Sequence, residues 1–171
     1  MGKKSIFAVL LAFCAAFSCS AKSLSFQILQ KNDSLTEVCE SSLAFEDEIL
    51  NYFFEKGYIV SNAPAVVSNS EEDDIKYYSD SFREASEGTV DYFCFIKVYF
   101  TGGEKENQKI SLGNLKNISW KIVSVESGNV LEESSSKVKE KISQDDMENV
   151  RKFASDFALH IHNVLIKKGV R

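Results

Sequence analysis

The chain has 171 residues, of which 44% are hydrophobic, 26% are charged and one is proline; it is neither disordered nor collagen-like and can bury one ordinary core. Lys3 and Lys4 fall in the first twenty residues, where no acid stands, so the remainder carries 18 basic against 25 acidic residues, a net charge near −7. That balance counts against nucleic acid as a partner, because phosphate-backbone binding rests on clustered Lys and Arg.

Residues 1–20 read as a secretory signal, with Lys3 and Lys4 as the basic start and Ile6 to Phe17 as the apolar run. The run is too short to span a bilayer as a helix. Its C-terminal end fits two processing routes. In one, Ala16 to Ser20 resembles a bacterial lipobox, with small Ser18 before the cysteine and Ser20 after it, so that Cys19 is acylated and becomes the mature N-terminus; Ala16 stands where leucine is usual. In the other, a signal peptidase cuts after Ser18, Ser20 or Ala21. Either route exports residues 21–171 as a single globular domain, soluble in the periplasm or lipid-anchored at the outer membrane. Cys14 leaves with the leader, and Cys39 and Cys94 are the pair left in the body. An oxidising compartment permits a disulfide between them; their places on a helix stripe and a strand face also suit two small buried hydrophobes.

In chain order, Ser23 to Leu29 alternates Leu24, Phe26 and Ile28 against polar neighbours and predicts a first strand. Ser34-Leu35-Thr36-Glu37 is a capping-box pattern that predicts the start of a long helix. Its stripe is Leu35, Val38, Cys39, Leu43, Ile49, Leu50, Phe53 and Phe54, and Gly57 is its natural C-terminal stop. A short strand comes next at Tyr58 to Val60. Ser61 to Asp74 reads as an irregular acidic loop, whose Glu71-Glu72-Asp73-Asp74 run lacks the ligand spacing of a calcium site. Ile75 to Glu87 predicts a short helix with Tyr78, Phe82 and Ala85 inward.

The clearest strand signal lies between Asp91 and Ser135. Tyr92, Cys94, Ile96, Val98 and Phe100 alternate against Phe93, Phe95, Lys97 and Tyr99, and Ile118, Trp120 and Ile122 against Ser119, Lys121, Val123 and Val125. A turn through Glu126-Ser127-Gly128, with Gly128 left-handed, returns the chain along Asn129 to Leu131 and makes a C-terminal meander. A last helix is expected, capped at Ser143, with Asp145 and Asp146 in its first turn, Lys167 and Lys168 near its end and an apolar stripe from Met147 to Leu165. The expectation is an α/β fold: one mixed sheet of about five strands, flanked by two long helices and one short one.

Chemistry is sparse. The sequence holds no nucleophile elbow, phosphate loop, dinucleotide fingerprint or paired Cys-x-x-Cys, and His160 and His162 diverge on a helix too far to share a metal. No catalytic residue, metal or cofactor is expected. Acids such as Glu46, Glu48 and Glu126 could serve an enzyme only by converging in space. The second sheet face leaves two readings. Helices cover both faces, or the Phe93, Phe95 and Tyr99 patch stands open as a partner-binding surface.

The element order, the helix ending at Glu55 to Val60, the Asp91-Tyr92-Phe93 strand and the Ile122 to Leu131 hairpin together resemble a family of envelope lipoprotein domains. It includes the outer-membrane activators of penicillin-binding proteins, the periplasmic part of the curli-secretion channel lipoprotein and flagellar outer-membrane accessory proteins; the likeness spans residues 23 to 169. The resemblance implies a non-enzymatic module that docks on an envelope protein or on itself, and meets the membrane only through a lipid anchor. The chain departs from it in lacking the membrane-spanning hairpin of a secretion pore and the long linker of the synthase activators.

Overall fold

The computed structural model describes residues 21–32, 35–101, 112–138 and 147–169. Among these, five strands form one sheet: β1 (Ser23–Lys31), β2 (Ile59–Val67), β3 (Tyr92–Phe100), β4 (Leu115–Ser124) and β5 (Val130–Lys137). Three helices flank it: α1 (Glu40–Glu55), α2 (Glu71–Glu87) and α3 (Met147–Gly169). The strand order is β2-β1-β3-β4-β5. β1 pairs parallel with β2 and β3, and the β3-β4-β5 meander is antiparallel. The sheet is mixed and the fold is α/β, as the period-two runs predict.

Each face has its own cover. Leu24, Phe26 and Ile28 of β1, Tyr92, Cys94, Ile96 and Val98 of β3, and Ile118, Trp120 and Ile122 of β4 form one large core with α1 and α3. Phe157 of α3 joins the helices to the sheet there, with ring contacts to Trp120 at 5.4 Å and Phe45 at 5.5 Å. The opposite face carries a smaller core of Leu29, Phe93, Phe95 and Ala85, closed by Tyr78 and Phe82 of α2. The reading in which Phe93 and Phe95 stand open is therefore corrected: they are 0% and 4% exposed beneath α2. Tyr99 is half-buried.

α1 starts at Glu40, later than the capping-box pattern predicts; Ser34 itself lies outside the described residues. The cap comes from elsewhere in the chain. Gln30, fully buried at the end of β1, accepts from the Cys39 amide at 2.9 Å and the Ser42 hydroxyl at 2.8 Å, and donates to the Glu37 carbonyl at 3.2 Å. This fixes a register in which Phe45, Glu46, Ile49 and Phe53 face inward while Leu43 and Phe54 face solvent.

Two segments are longer than their sequence signals. β2 runs on through Pro64, an edge strand whose register slips opposite Gln27 to Leu29, where a proline is tolerated. α2 begins at the acidic run: the Ser70 hydroxyl accepts from the Asp73 amide at 3.0 Å, and four carboxylates fall in a first turn that the helix dipole favours. Gly57 (φ 80°) and Gly128 (φ 67°) hold the left-handed positions expected of them. The predicted cap Ser143, and Asp145 and Asp146, lie outside the described residues, as do residues 1–20 with Cys19. No helix among the described residues is long and apolar enough to cross a membrane.

Candidate functional site

α2 covers the second face only over β1 and β3, so the same face of β4 and β5 is left open beside it. The result is a groove of about 520 Å³. Its floor is two rows of side chains in register across the strands: Lys97, Ser119 and Ser135 in one, Phe95, Lys121 and Glu133 in the other. Tyr78 and Ile75 of α2 form its wall, and Ile75 is 67% exposed. The groove runs toward the carboxyl ends of β1 and β3, where open α/β sheets commonly receive ligands.

At the closed end of the groove Asp74 is buried. Its carboxylate accepts from Lys31 at 2.8 Å, from Lys97 at 2.7 Å and from the Ser68 hydroxyl. Burial alone would raise this carboxyl, but the hydrogen bonds from Lys31, Lys97 and Ser68 outweigh it and hold it below the usual carboxylate range. At the open end Lys121 Nζ lies 3.5 Å from Glu133 and 5.3 Å from the Tyr78 ring centre, and Tyr78 meets Phe95 edge-on at 5.3 Å. These charged groups are already engaged with one another. The surface they make offers hydroxyls, the Tyr78 and Phe95 rings, the aliphatic Ile75, and acids and lysines paired with each other.

A second polar cluster lies on the other face, where α3 crosses β5. Glu132 accepts from Trp120 Nε1 at 2.9 Å and lies 2.9 Å from His160 Nε2. Desolvation opposes ionisation of Glu132, and the His160 and Trp120 hydrogen bonds overcome it, so its carboxyl is also held low. His162 points elsewhere, into a box of Tyr52, Phe53 and Tyr58 rings 5.6 to 6.2 Å away. Burial, and then the charge of Lys56, pushes its imidazolium form down.

Of the residues singled out in the sequence, Phe95 lines the groove, Phe93 lies wholly under α2 and Tyr99 belongs to neither. Glu46, Glu48 and Glu126 do not converge. Glu46 accepts from Asn62 Nδ2 at 2.6 Å and the Ala65 amide at 3.0 Å at the β2 irregularity, Glu48 lies between α1 and α3, and Glu126 is in the β4–β5 turn. Cys39 and Cys94 are free thiols. Cys39 is held beside the Gln30 side chain, while Cys94 pairs with Phe26, four residues back along β1. Burial pushes the Cys94 thiol up, so it is inert at neutral pH. The residues that reasoning from sequence missed are Asp74, hidden in an acidic run, and Lys31; the signal available for them was Lys97, the one charge on an otherwise apolar strand face.

Among solved structures, a PelC dodecamer variant from Paraburkholderia phytofirmans is 13% identical, with 85% of this chain and 89% of that chain covered and a TM-score of 0.47. TolB from Acinetobacter baumannii is 11% identical over 85% of this chain and 28% of that chain, with a TM-score of 0.44. A lipoprotein from Neisseria meningitidis is 13% identical over 84% and 99%, with a TM-score of 0.41. No curated protein matches the chain. A family model described as "Uncharacterised protein" matches residues 23–165, and the chain belongs to that family.

Proposed function

We propose that this chain is an exported, non-enzymatic module of the bacterial envelope, held to a membrane by acylation of Cys19, that receives a protein partner in the groove between α2 and β3, β4 and β5. The observation that carries the reading is the uncovered half of the second sheet face. A groove whose acids and lysines are already paired presents a recognition surface, and none of them stands free as an acid, base or nucleophile. Ile75 and Tyr78 supply the apolar contact such a surface uses, and β5 is an edge strand beside which an extended segment fits. The leader and the resemblance to envelope lipoprotein domains support a position in the periplasm or, lipid-anchored, at the outer membrane.

The test is photo-crosslinking in living cells, with a photoreactive residue at Ile75 or Ser135 in the groove and a control at the exposed Asp156 on the back of α3. A defined envelope protein, or a second copy of the chain, should be captured from the groove positions only, and Tyr78→Ala should weaken capture. Equal capture from all three positions, or none from the groove, overturns the reading.

A further inference from the structure

The end of the domain from which the chain leaves toward Cys19 is also where the most exposed large apolar side chain among the described residues stands. The Ile59 amide donates to the Lys22 carbonyl at 2.9 Å, so the starts of β1 and β2 lie side by side. Lys22 Nζ donates to the Gly169 carbonyl at 3.1 Å, which brings the last turn of α3 to the same place, and Lys168 donates to the Leu131 carbonyl, which brings the start of β5. α1 ends here as well, because Gly57 turns it directly into β2 with its amide on the Phe54 carbonyl at 2.9 Å. At this rim Phe54 and Ile59 are 74% and 65% exposed, with Val130 and Ile166 also in solvent and Lys56, Lys167 and Lys168 beside them. Glu55, Glu87 and Glu126 lie at the same end, and the Asp91 carboxylate there is engaged by the Ser23 amide and hydroxyl at 2.6 and 2.8 Å.

Exposure alone decides nothing, since Leu43, Ile75 and Met147 are exposed toward the other end. The tether decides. Three residues, Ser20 to Lys22, separate Cys19 from β1, and fully extended they carry Ser23 no more than about 14 Å from Cys19. The nine residues of β3 make the domain about 30 Å long in that direction. A tether so much shorter than the domain cannot let it turn end over end on a bilayer.

We propose that this end is a lipid-contact surface: with Cys19 acylated, Phe54 and Ile59 seat in the headgroup boundary of the bilayer, flanked by Lys56, Lys167 and Lys168, and the groove opens away from it. Exposed aromatic and aliphatic side chains with long lysine side chains beside them are a composition by which a protein surface lies in that boundary, and the acids at this end make the apolar contact, rather than net charge, the main attraction. The proposal rests on the acylation of Cys19 proposed above.

The experiment uses the full acylated chain in vesicles of phosphatidylethanolamine and phosphatidylglycerol carrying brominated acyl chains, which quench tryptophan on contact. Trp120, buried mid-sheet, is the built-in reference. Phe54→Trp and Ile59→Trp should add emission that brominated lipid removes and that shifts to the blue on vesicle binding; Leu43→Trp, at the opposite end, should add emission that it does not remove. Acylated protein that floats with the vesicles yet shows no quenching at either rim position, or equal quenching at Leu43→Trp, overturns the contact surface and leaves the anchor standing. An intact mass without an acyl group overturns the anchor and this proposal together.

Discussion

Lys97 Nζ lies 2.7 Å from Asp74 Oδ2, a bond that ties the centre of the sheet to the first turn of α2. Lys31 approaches the other oxygen of the same carboxylate at 2.8 Å, so one buried acid fixes where α2 enters and how far it reaches over the sheet. The groove exists because α2, held at this point, stops short of β4.

Removing that acid leaves two partly buried lysines without their counter-ion. Asp74→Ala is expected to cost about 2–3 kcal/mol, below the figure for a fully buried pair because both lysines keep some contact with water. Lys97→Met should cost less, since Lys31 and Ser68 still hold the carboxylate. Urea midpoints measure both, and an unchanged midpoint in Asp74→Ala would show that the cluster does not position α2.

The same cluster sets a pH dependence. Asp74 and Glu132 are both held below their ordinary values, so the native state binds fewer protons there than the unfolded chain. Their contribution to stability is complete above the unfolded values of about 4 and is lost as pH falls through the lowered folded ones. Thermal melts of the wild type should fall steeply below about pH 4, and Asp74→Asn should flatten that fall while lowering stability at pH 7. A variant that kept the full acid slope would assign the effect to other carboxylates.

Much of this fold can be read from the sequence, and the failures share one cause. Period-two alternation identifies β1, β3 and β4, and the glycines at 57 and 128 mark the end of α1 and the β4–β5 turn, because those signals are local. The start of α1 is set by Gln30, and the fate of the acidic run by Lys31 and Lys97, all of them distant in sequence and visible only once the sheet is built. The groove is legible in neither strand pattern nor motif, since it depends on how far one helix reaches across a sheet.

Glu46 behaves in the opposite sense to Asp74. Burial raises its carboxyl more than the bonds from Asn62 and Ala65 lower it, so the folded value lies above the unfolded one. Its contribution is present below the unfolded value and lost as pH rises through the folded one. Glu46→Gln keeps an oxygen for Asn62 Nδ2 and the Ala65 amide and removes the charge. The variant should be as stable as the wild type at pH 4 and more stable at pH 7, by on the order of 1 kcal/mol or less; chemical melts at the two pH values decide it, and lower stability at pH 7 would mean the ionised form is the better partner for β2.

Phe95 and Phe54 separate core from surface among the aromatic residues. Phe95 is 4% exposed, under Tyr78 at 5.3 Å and beside Phe93 at 6.4 Å, so truncating it opens a cavity where α2 meets β3. Phe95→Ala is expected to cost about 3–5 kcal/mol, and because the same ring lines the groove, partner capture should fall with it. Phe54 packs on nothing that its loss would empty, and Phe54→Ala should move stability by less than about 0.5 kcal/mol. Its effect should appear only on vesicles, as weaker seating of the acylated domain. Equal thermal shifts in the two variants would place Phe54 in the fold and deny it to the membrane, while a stable Phe95→Ala would mean that α2 does not hold its place over β3.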